Sequence, residues 1–295
     1  MDVVESSRTI YKRVQEERSV GRSVGFVPTM GGLHRGHEEL VQQSVDDNNV
    51  TVVSIFLNPA QFDSDADYEA YPASRDEDVQ TVEQAGADYV FYPEYEEMYT
   101  EGDSTTVRVK SSLTERFEGE YKEQFFDGVT RILTKLFNII PSSKAYFGEK
   151  DLQQLVVVKR MVEDLKFPHE IVPVPTVRDQ YGVAYSSRNR RLKDRDWETV
   201  RSVYDIFQGI KDTEHTTITS ELDQVRNQIE QVGMDLEYLA LISYPDFTPT
   251  TFQDEDAVCI MAGRVGEVRI KDNLPIHVES VRQLEKNRNP VSEHA

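Results

Sequence analysis

The feature that most constrains the fold is the regular alternation of short apolar runs with amphipathic stretches as far as residue 176. The apolar runs are rich in β-branched residues, as buried strands are, and the stretches between them have the apolar spacing of helices. The expected strands are residues 23–27, 50–56, 88–92, 144–147 and 170–174, and the expected helices are residues 36–45, 76–84, 128–137 and 152–164. This order predicts an α/β fold with a Rossmann-like, doubly wound parallel sheet.

The pattern changes beyond residue 176, where helices and strands occur in separate groups. The expected helices there are residues 199–211 and 219–231, and the expected strands are residues 235–243, 257–262 and 265–270. Such grouping is typical of an α+β domain. We therefore expect a larger domain over residues 1–176, a smaller C-terminal domain over residues 177–282, and a polar, flexible tail over residues 283–295.

The balance of charge excludes several classes of partner. Acidic residues number 53 and basic residues 33, which gives a net charge of −20. A field of that sign repels nucleic acid and anionic membranes, so we expect neither as a partner. The sequence begins without a secretory signal and holds no apolar run of about 20 residues, so a cytoplasmic location is expected. The acid-rich composition fits a salt-adapted protein as well as an ordinary acidic one.

A glycine- and histidine-rich segment follows the first expected strand. Residues 28–37 have the sequence Pro-Thr-Met-Gly-Gly-Leu-His-Arg-Gly-His, so Gly31 and Gly32 precede a helix whose first turn holds His34 and His37. Glycines let the backbone approach a ligand closely, and a helix N-terminus attracts anions. Two imidazoles at this point can donate hydrogen bonds to a phosphate. A zinc site is the alternative, but no third ligand follows at metal spacing.

Two further strand ends carry polar side chains. Asn58 and Gln61 follow the second expected strand, where neutral amides could orient a hydroxylated substrate. Lys150 and Asp151 follow the fourth, where the amine could meet a phosphate and the carboxylate a ribose hydroxyl. The alternatives are a turn capped by Asn58 in the first case, and a loop ion pair with a helix cap in the second.

A basic serine loop is the fourth such segment. Residues 188–195 hold five bases in eight positions, directly after Ser186 and Ser187. Nucleic acid would use a wider basic face, so a polyphosphate fits this cluster better. A solvated basic patch is the alternative. Together the four segments favour a site for a nucleoside triphosphate with a small polar co-substrate beside it.

Four stretches of the sequence resemble the pantoate–β-alanine ligase family of the His-x-Gly-His nucleotidyltransferase-like group. They are residues 28–37, Val-Ser-Ile-Phe-Leu-Asn-Pro-Ala-Gln-Phe at 53–62, Phe-Gly-Glu-Lys-Asp-Leu-Gln-Gln-Leu at 147–155, and Ser-Ser-Arg-Asn at 186–189. Residues 263–266 and 269–273 resemble the family more weakly. The resemblance implies a homodimeric ligase of pantothenate biosynthesis that uses ATP and Mg²⁺. It would condense pantoate with β-alanine through a pantoyl adenylate and release AMP and pyrophosphate.

The same resemblance implies a role for individual residues. His34, His37, Lys150 and Arg188 would be catalytic, with His37 as the general acid. Gln61 and Gln154 would bind pantoate, Gln61 would also lie near β-alanine, and Asn58 would contact substrate. Asp78 would contact the metal. The ATP-binding residues would be Met30, Gly31, Gly32, Leu33, His34, Arg35, Gly36, His37, Gly148, Glu149, Lys150, Asp151, Val177, Tyr185, Ser186, Ser187 and Arg188. Val177 would touch the adenine, and the C-terminal domain would act as a lid.

The sequence departs from the family pattern in three stretches. Lys122 stands where the family has Arg, Gln124 where it has Gly, and Phe125 where it has His. Ala73 stands where the family has Arg, and Gly32 and Arg35 stand where it has Ala and Glu. These departures affect the rim of the expected site and put the rate in question rather than the reaction. A nucleotidylyltransferase and a nucleotide-binding protein without turnover remain the alternatives.

Overall fold

The computed structural model describes residues 1–62, 64–212 and 218–288. The chain divides into two compact units, Met1–Gly148 with Gln153–Val174 and Glu149–Leu152 with Pro175–Ala295. The first contains a parallel sheet and the second an antiparallel one, so the expected fold class is confirmed. The short segment Glu149–Leu152 groups with the second unit, although the sequence places it in the larger domain.

Six parallel strands form the sheet of the first unit. They are β1 (Asp2–Val4), β2 (Val24–Thr29), β3 (Val50–Ile55), β4 (Tyr89–Phe91), β5 (Lys144–Gly148) and β6 (Glu170–Val174). All six residues of β3 are buried, as an unbroken apolar run in a parallel sheet predicts. The strand order is β1-β4-β3-β2-β5-β6, so the direction of winding reverses at β2. Ligands of doubly wound sheets bind beyond the carboxyl ends of the strands at such a reversal.

Helices cover the first unit's sheet. They are α1 (Ser7–Ser19), α2 (Arg35–Asp47), α3 (Asp65–Glu69), α4 (Arg75–Gln84), α5 (Tyr95–Met98), α6 (Glu118–Tyr121), α7 (Phe125–Ile139) and α8 (Leu152–Leu165). The apolar face predicted for α7 is confirmed, because Val129, Ile132 and Leu136 are all buried. Helix α1 was not predicted, since its buried residues are only Ile10 and Val14.

In the part of the second unit that the structure describes, there are a four-stranded antiparallel sheet and three helices. The strands are β7 (Asp235–Ser243), β8 (Thr248–Pro249), β9 (Ala257–Val265) and β10 (Val268–Pro275), in the order β10-β9-β7-β8. The helices are α9 (Asp194–Gln208), α10 (Ile218–Gln231) and α11 (Val281–Arg288). The strand expected at residues 265–270 is corrected to β10, because β9 continues to Val265 and the hairpin turns at Gly266, whose φ is 58°.

The C-terminal end of the second unit differs from the sequence expectation of a flexible tail from residue 283. Helix α11 extends to Arg288, and Val281 and Leu284 on it are buried. Residues 289–295 of the expected tail lie outside the described residues. The thiol of Cys259 is buried in the core of this unit, and burial raises its pKa, which fits an inert cysteine.

Within the ranges that the structure describes, no helix combines the length and the apolar character needed to cross a membrane.

Candidate functional site

The turn between β2 and α2 depends on two glycines in left-handed conformations. Gly31 has a φ of 84° and Gly32 a φ of 62°. A side chain is strained at such φ values, and a Cβ on Gly31 would lie 2.8 Å from Oδ2 of Asp78. The two glycines therefore let the chain turn closely around a buried carboxylate.

Asp78 holds this turn through its carboxylate. Oδ2 accepts hydrogen bonds from the backbone N–H of Gly32 at 2.9 Å and of Ser74 at 3.3 Å, and Oδ1 accepts from that of Leu33 at 2.7 Å. The residue is 2% exposed and lies in the first turn of α4, where the helix dipole favours a negative charge. Both carboxylate oxygens are thus engaged by the main chain, which does not fit the metal contact expected of Asp78.

Potential metal ligands are not grouped elsewhere in the described part of the chain. No cluster of three His, Cys, Asp or Glu side chains that could hold an ion is found there. Neither zinc at the two histidines nor magnesium therefore has a set of three such ligands among the described residues. The residues described do not form a protein-based metal centre.

The two histidines of the turn have fixed ring orientations. Nδ1 of His34 accepts a hydrogen bond from the backbone N–H of Gly36 at 3.1 Å, and Nδ1 of His37 accepts from that of His34 at 3.3 Å. The ring centroids are 4.1 Å apart. Because Nδ1 accepts in both rings, each neutral imidazole carries its proton on Nε2. The structure therefore brings together two N–H donors of the kind that a phosphate requires.

Asn58 supports the segment that follows β3. Its Nδ2 donates to the carbonyl of Gly128 at 3.2 Å, and its Oδ1 accepts from the hydroxyl of Tyr99 at 2.7 Å. Burial raises the pKa of Tyr99 to about 12, so its hydroxyl stays protonated. Asn58 is 1% exposed, and its bond to Gly128 ties the end of β3 to α7. A contact between Asn58 and substrate remains a prediction. Gln61 follows in a short 3₁₀ turn and is buried.

The two consecutive glutamines of α8 have different environments. Gln153 is buried: its Oε1 accepts from the backbone N–H of Glu118, and its Nε2 donates to the carbonyls of Leu113 and Arg116. Gln154 is half-buried at the next position. Sequence reasoning missed the supporting role of Gln153, because its partners lie more than thirty residues away along the chain.

The Lys150 segment of the second unit is rich in charge. The Nζ atom of Lys150 lies 3.7 Å from Oδ1 of Asp151, and Nζ of Lys271 lies 2.7 Å from the same oxygen. Burial lowers the pKa of Lys150, an effect that Asp151 opposes. Burial alone would raise the pKa of Asp151, but the two ammonium groups outweigh it and lower that pKa well below its usual range. The loop ion pair considered from the sequence is therefore present.

A hairpin brings together two segments that the sequence assigned to the nucleotide. The backbone N–H of Tyr185 donates to the carbonyl of Val177 at 3.1 Å. Arg178, the residue after Val177, forms a bidentate pair with the buried carboxylate of Asp272, at 2.5 and 3.0 Å. The expected adenine contact and the expected triphosphate loop thus lie side by side.

The basic serine loop begins in an ordered turn and continues into exposed ion pairs. The hydroxyl of Ser186 accepts from the backbone N–H of Arg188 at 3.3 Å, which caps a 3₁₀ turn over Ser187–Arg191. Further on, Lys193 pairs with Glu267 and Arg195 with Asp196. The solvated-patch alternative therefore describes these last two bases better than a polyphosphate contact does.

Comparison with known proteins decides the family. Residues 2–275 match the family model described as "Pantoate-beta-alanine ligase". The chain belongs to the pantoate–β-alanine ligase family. The resemblance found in the sequence is thereby confirmed.

Individual relatives agree with this assignment. The chain is 40% identical to a pantothenate synthetase of Thermus thermophilus over 257 residues, covering 86% of this chain and 93% of the relative. It is 39% identical to one of Aquifex aeolicus over 272 residues, covering 89% and 94%.

Solved structures of the family have the same fold. A pantothenate synthetase of Thermus thermophilus matches with a TM-score of 0.89 at 37% identity, covering 94% of this chain and 100% of the other. A pantoate–β-alanine ligase of Francisella tularensis, whose structure is complexed with β-γ ATP and β-alanine, matches with a TM-score of 0.81 at 28% identity, covering 94% and 98%.

Two of the residues that depart from the family pattern contact each other in the structure. Lys122 is buried, and its ammonium group lies 5.2 Å from the ring centroid of Phe125, which is also buried. Gln124 has a φ of 62°, at a position where the family pattern has glycine. Ala73 is exposed. The Lys122 and Phe125 side chains thus pack against each other.

Proposed function

We propose that this chain is an ATP-dependent ligase that condenses pantoate with β-alanine and releases AMP and pyrophosphate. The observation that carries the proposal is the family match over residues 2–275. The two histidines with N–H donors at Nε2 and the ammonium group of Lys150 are the groups that such a reaction requires.

In the first half-reaction, an oxygen of the pantoate carboxylate attacks the α-phosphorus of ATP. The new bond joins that oxygen to phosphorus, and the bond from the α-phosphorus to the bridging oxygen of pyrophosphate breaks. Negative charge accumulates on the α-phosphate and on the leaving pyrophosphate. Donors fixed in advance stabilise this charge more than water does. No base is needed, since a carboxylate is already a nucleophile.

The first unit contributes neutral donors to this step. We assign Nε2–H of His34 to the phosphate oxygens and Nε2–H of His37 to the leaving pyrophosphate. Both act as hydrogen-bond donors, since a neutral imidazole cannot transfer its remaining proton as the general acid that the resemblance implied. The backbone hydrogen bonds to both Nδ1 atoms hold the rings in this protonation state. Gln61 and Gln154 bind the hydroxyl and carboxylate groups of pantoate through their amides, which adds no fixed charge beside the nucleophile.

The second unit contributes the charged groups. We assign Lys150 to the phosphate undergoing attack, and Ser186, Ser187 and Arg188 to the triphosphate. Val177, whose carbonyl accepts from the backbone N–H of Tyr185, is assigned to the adenine from the family resemblance. Glu149 and Asp151 complete the nucleotide-binding segment around Lys150, directly after Gly148, which belongs to the first unit.

In the second half-reaction, the neutral amine of β-alanine attacks the carbonyl carbon of pantoyl adenylate. A C–N bond forms, the bond between that carbon and the AMP oxygen breaks, and the amine proton passes to solvent. Because an acyl adenylate hydrolyses readily, the enzyme must exclude water until the amine arrives.

Three features belong to the proposal alone. We propose that Mg²⁺ enters as the counter-ion of the ATP phosphates, because Asp78 is engaged by backbone N–H groups and the described residues show no metal cluster. A homodimer and a cytoplasmic location follow from the family resemblance. Sedimentation of the purified protein tests the dimer.

The proposal is tested by mixing the enzyme with MgATP and pantoate, with and without β-alanine. We expect pyrophosphate release limited to about one equivalent of enzyme without β-alanine, and steady formation of pantothenate and AMP with it. Transfer of AMP to a phosphate-bearing acceptor, without amide formation, would favour the nucleotidylyltransferase alternative. Nucleotide binding without pyrophosphate release would favour the protein without turnover.

A further inference from the structure

The Lys271-Asp272-Asn273 segment of β10 is not explained by the proposed function, although the sequence marks it as a weak family motif. Asn273 is 4% exposed. Its side-chain Nδ2 donates to two successive backbone carbonyls, that of Glu149 at 2.8 Å and that of Lys150 at 3.1 Å. Both side-chain N–H bonds of this amide are thus used on the segment that carries Lys150.

The same segment is also held through the side chain of Glu149. That carboxylate is buried and accepts hydrogen bonds from the backbone N–H of Val281 at 2.9 Å and of Arg282 at 2.7 Å. These N–H groups belong to the first turn of α11, where a carboxylate is favourable. The backbone on the N-terminal side of Lys150 is therefore fixed by both β10 and α11.

Asn273 is itself held rigidly. Its backbone N–H donates to Oδ1 of Asp272 at 2.8 Å, and its carbonyl accepts from Nη2 of Arg178 at 3.3 Å. Asp272 is in turn paired with Arg178. Because side chains alternate along a strand, Lys271 and Asn273 point to one face of β10 and Asp272 to the other. One strand thereby joins the Lys150 segment to the hairpin that leads into the serine loop.

We propose that Asn273 is a positioning residue for Lys150. By holding the carbonyls of Glu149 and Lys150, it fixes the point from which the long lysine side chain extends. An ammonium group stabilises charge in a transition state only when its position is set in advance, and a displacement of about 1 Å can cost 100-fold in rate. The inference rests on the proposed role of Lys150 in the ATP half-reaction.

Two substitutions of Asn273 distinguish the loss of its N–H donors from the loss of its side-chain volume. Asn273→Asp keeps the size but replaces the NH2 group with one oxygen that faces two carbonyl oxygens, and Asn273→Ala removes the group. We expect each to slow pyrophosphate release about 10- to 100-fold, with a smaller change in KM for ATP and none in KM for pantoate. Cys259→Ala, a core change on neighbouring β9 opposite Leu274, is the control for lost stability alone. It should lower the melting temperature and leave these constants unchanged.

The decisive measurement is a double-mutant cycle with Lys150→Ala. If Asn273 acts through Lys150, Asn273→Ala should slow pyrophosphate release strongly in the wild type and hardly at all when Lys150 is already absent. Equal fold-losses in both backgrounds would overturn the proposal. So would an Asn273→Ala enzyme that folds and reacts at the wild-type rate.

The pH dependence of Asn273→Asp gives a second readout. Burial against the carbonyls of Glu149 and Lys150 should raise the pKa of the new carboxyl group, an effect that the ammonium group of Lys271 on the same face of β10 opposes, and its protonated form regains one donor. Its rate relative to the wild type should therefore rise as the pH falls, whereas a flat ratio would contradict the role of the donor. If wild-type enzyme released no pyrophosphate with pantoate, the proposed function would fail, and the same cycle would then be run on ATP affinity measured by calorimetry.

Discussion

The two units hold their functional groups in different ways. In the first, His34 and His37 are neutral donors whose rings are oriented by backbone N–H groups, and the turn that carries them is held by one buried carboxylate, Asp78. In the second, Lys150 is an ammonium group surrounded by further charges, and its neighbour Asp151 is shared with Lys271.

The difference follows from the cost of burying charge. A neutral imidazole needs only hydrogen bonds to be stable in a half-buried turn, whereas a buried ammonium group needs a counter-charge. The first unit can therefore orient its imidazole rings with backbone N–H groups, and backbone N–H groups also satisfy the buried carboxylate of Asp78 beneath them. The second unit must pair Lys150 with a counter-charge, and it must also fix the main chain that carries Lys150. The second task is the one that we assign to Asn273. The following predictions test this contrast.

Removing the carboxylate beneath the histidine turn should have the largest effect. Asp78→Ala leaves three backbone N–H groups without their charged acceptor, and we expect a loss of about 4 kcal/mol in the free energy of unfolding. Denaturant unfolding measures this. Asp76→Ala, an exposed acid in the same first turn of α4, is the control and should change little. A stable Asp78→Ala protein with a greatly increased requirement for Mg²⁺ would instead make Asp78 a metal ligand.

Removing the ammonium group of the second unit should affect catalysis rather than folding. Lys150→Ala is expected to slow pyrophosphate release about 100-fold or more, equivalent to roughly 2.7 kcal/mol for one donor in a dry site. Stability should change little or increase, since a buried charge is lost. Lys12→Ala, an exposed lysine of α1, serves as the control. An unchanged rate of pyrophosphate release would remove Lys150 from the mechanism.

Removing the neutral amides of Gln61 and Gln154 should raise the KM for pantoate and leave the KM for ATP nearly unchanged. Gln61→Ala and Gln154→Ala are each expected to raise KM for pantoate by an amount equivalent to about 2 kcal/mol, because polar groups of the substrate are left unpaired. KM for ATP should stay within about twofold of the wild type. Gln42→Ala, an exposed glutamine of α2, is the matched control. A larger change for ATP than for pantoate would show that these residues are misplaced.

The smallest expected effects are those of salt, which should raise the stability of the protein and weaken its binding of ATP. At a net charge of −20, screening of self-repulsion should raise the melting temperature as NaCl increases from near zero. The same screening should weaken ATP binding, since the contacts proposed for Lys150 and Arg188 with the phosphates are electrostatic. Thermal scans and calorimetry over one salt series measure both. A melting temperature independent of salt would contradict the self-repulsion, and activity lost at molar salt would exclude the salt-adapted alternative.

Local patterns predicted the fold well where the signal lies within one segment. The β-branched run of β3 and the apolar face of α7 were sufficient to place both elements. Helix α9 begins at Asp194 rather than at residue 199. The sequence expectation missed this start because the first three residues, Asp194–Asp196, are all charged and extend no apolar pattern. The motifs that carry the family resemblance could be recognised because their residue types are informative on their own.

Supporting residues could not be predicted because their partners are distant in sequence. The acidic run around Asp78 suggests a metal contact, yet two of its three backbone partners lie 45 and 46 residues away. Asn273 holds carbonyls 124 and 123 residues away. Nothing in the local sequence shows which backbone groups such side chains will meet, so these roles emerge only from the folded chain.

The most direct test of the central claim follows one oxygen atom through the reaction. Pantoate whose carboxylate carries the heavy oxygen isotope is incubated with the enzyme, MgATP and β-alanine, and the products are examined by mass spectrometry. If the reaction passes through pantoyl adenylate, one labelled oxygen should appear in AMP for each pantothenate formed, and none in pyrophosphate. Label in inorganic phosphate, with ADP as the other product, would contradict the account.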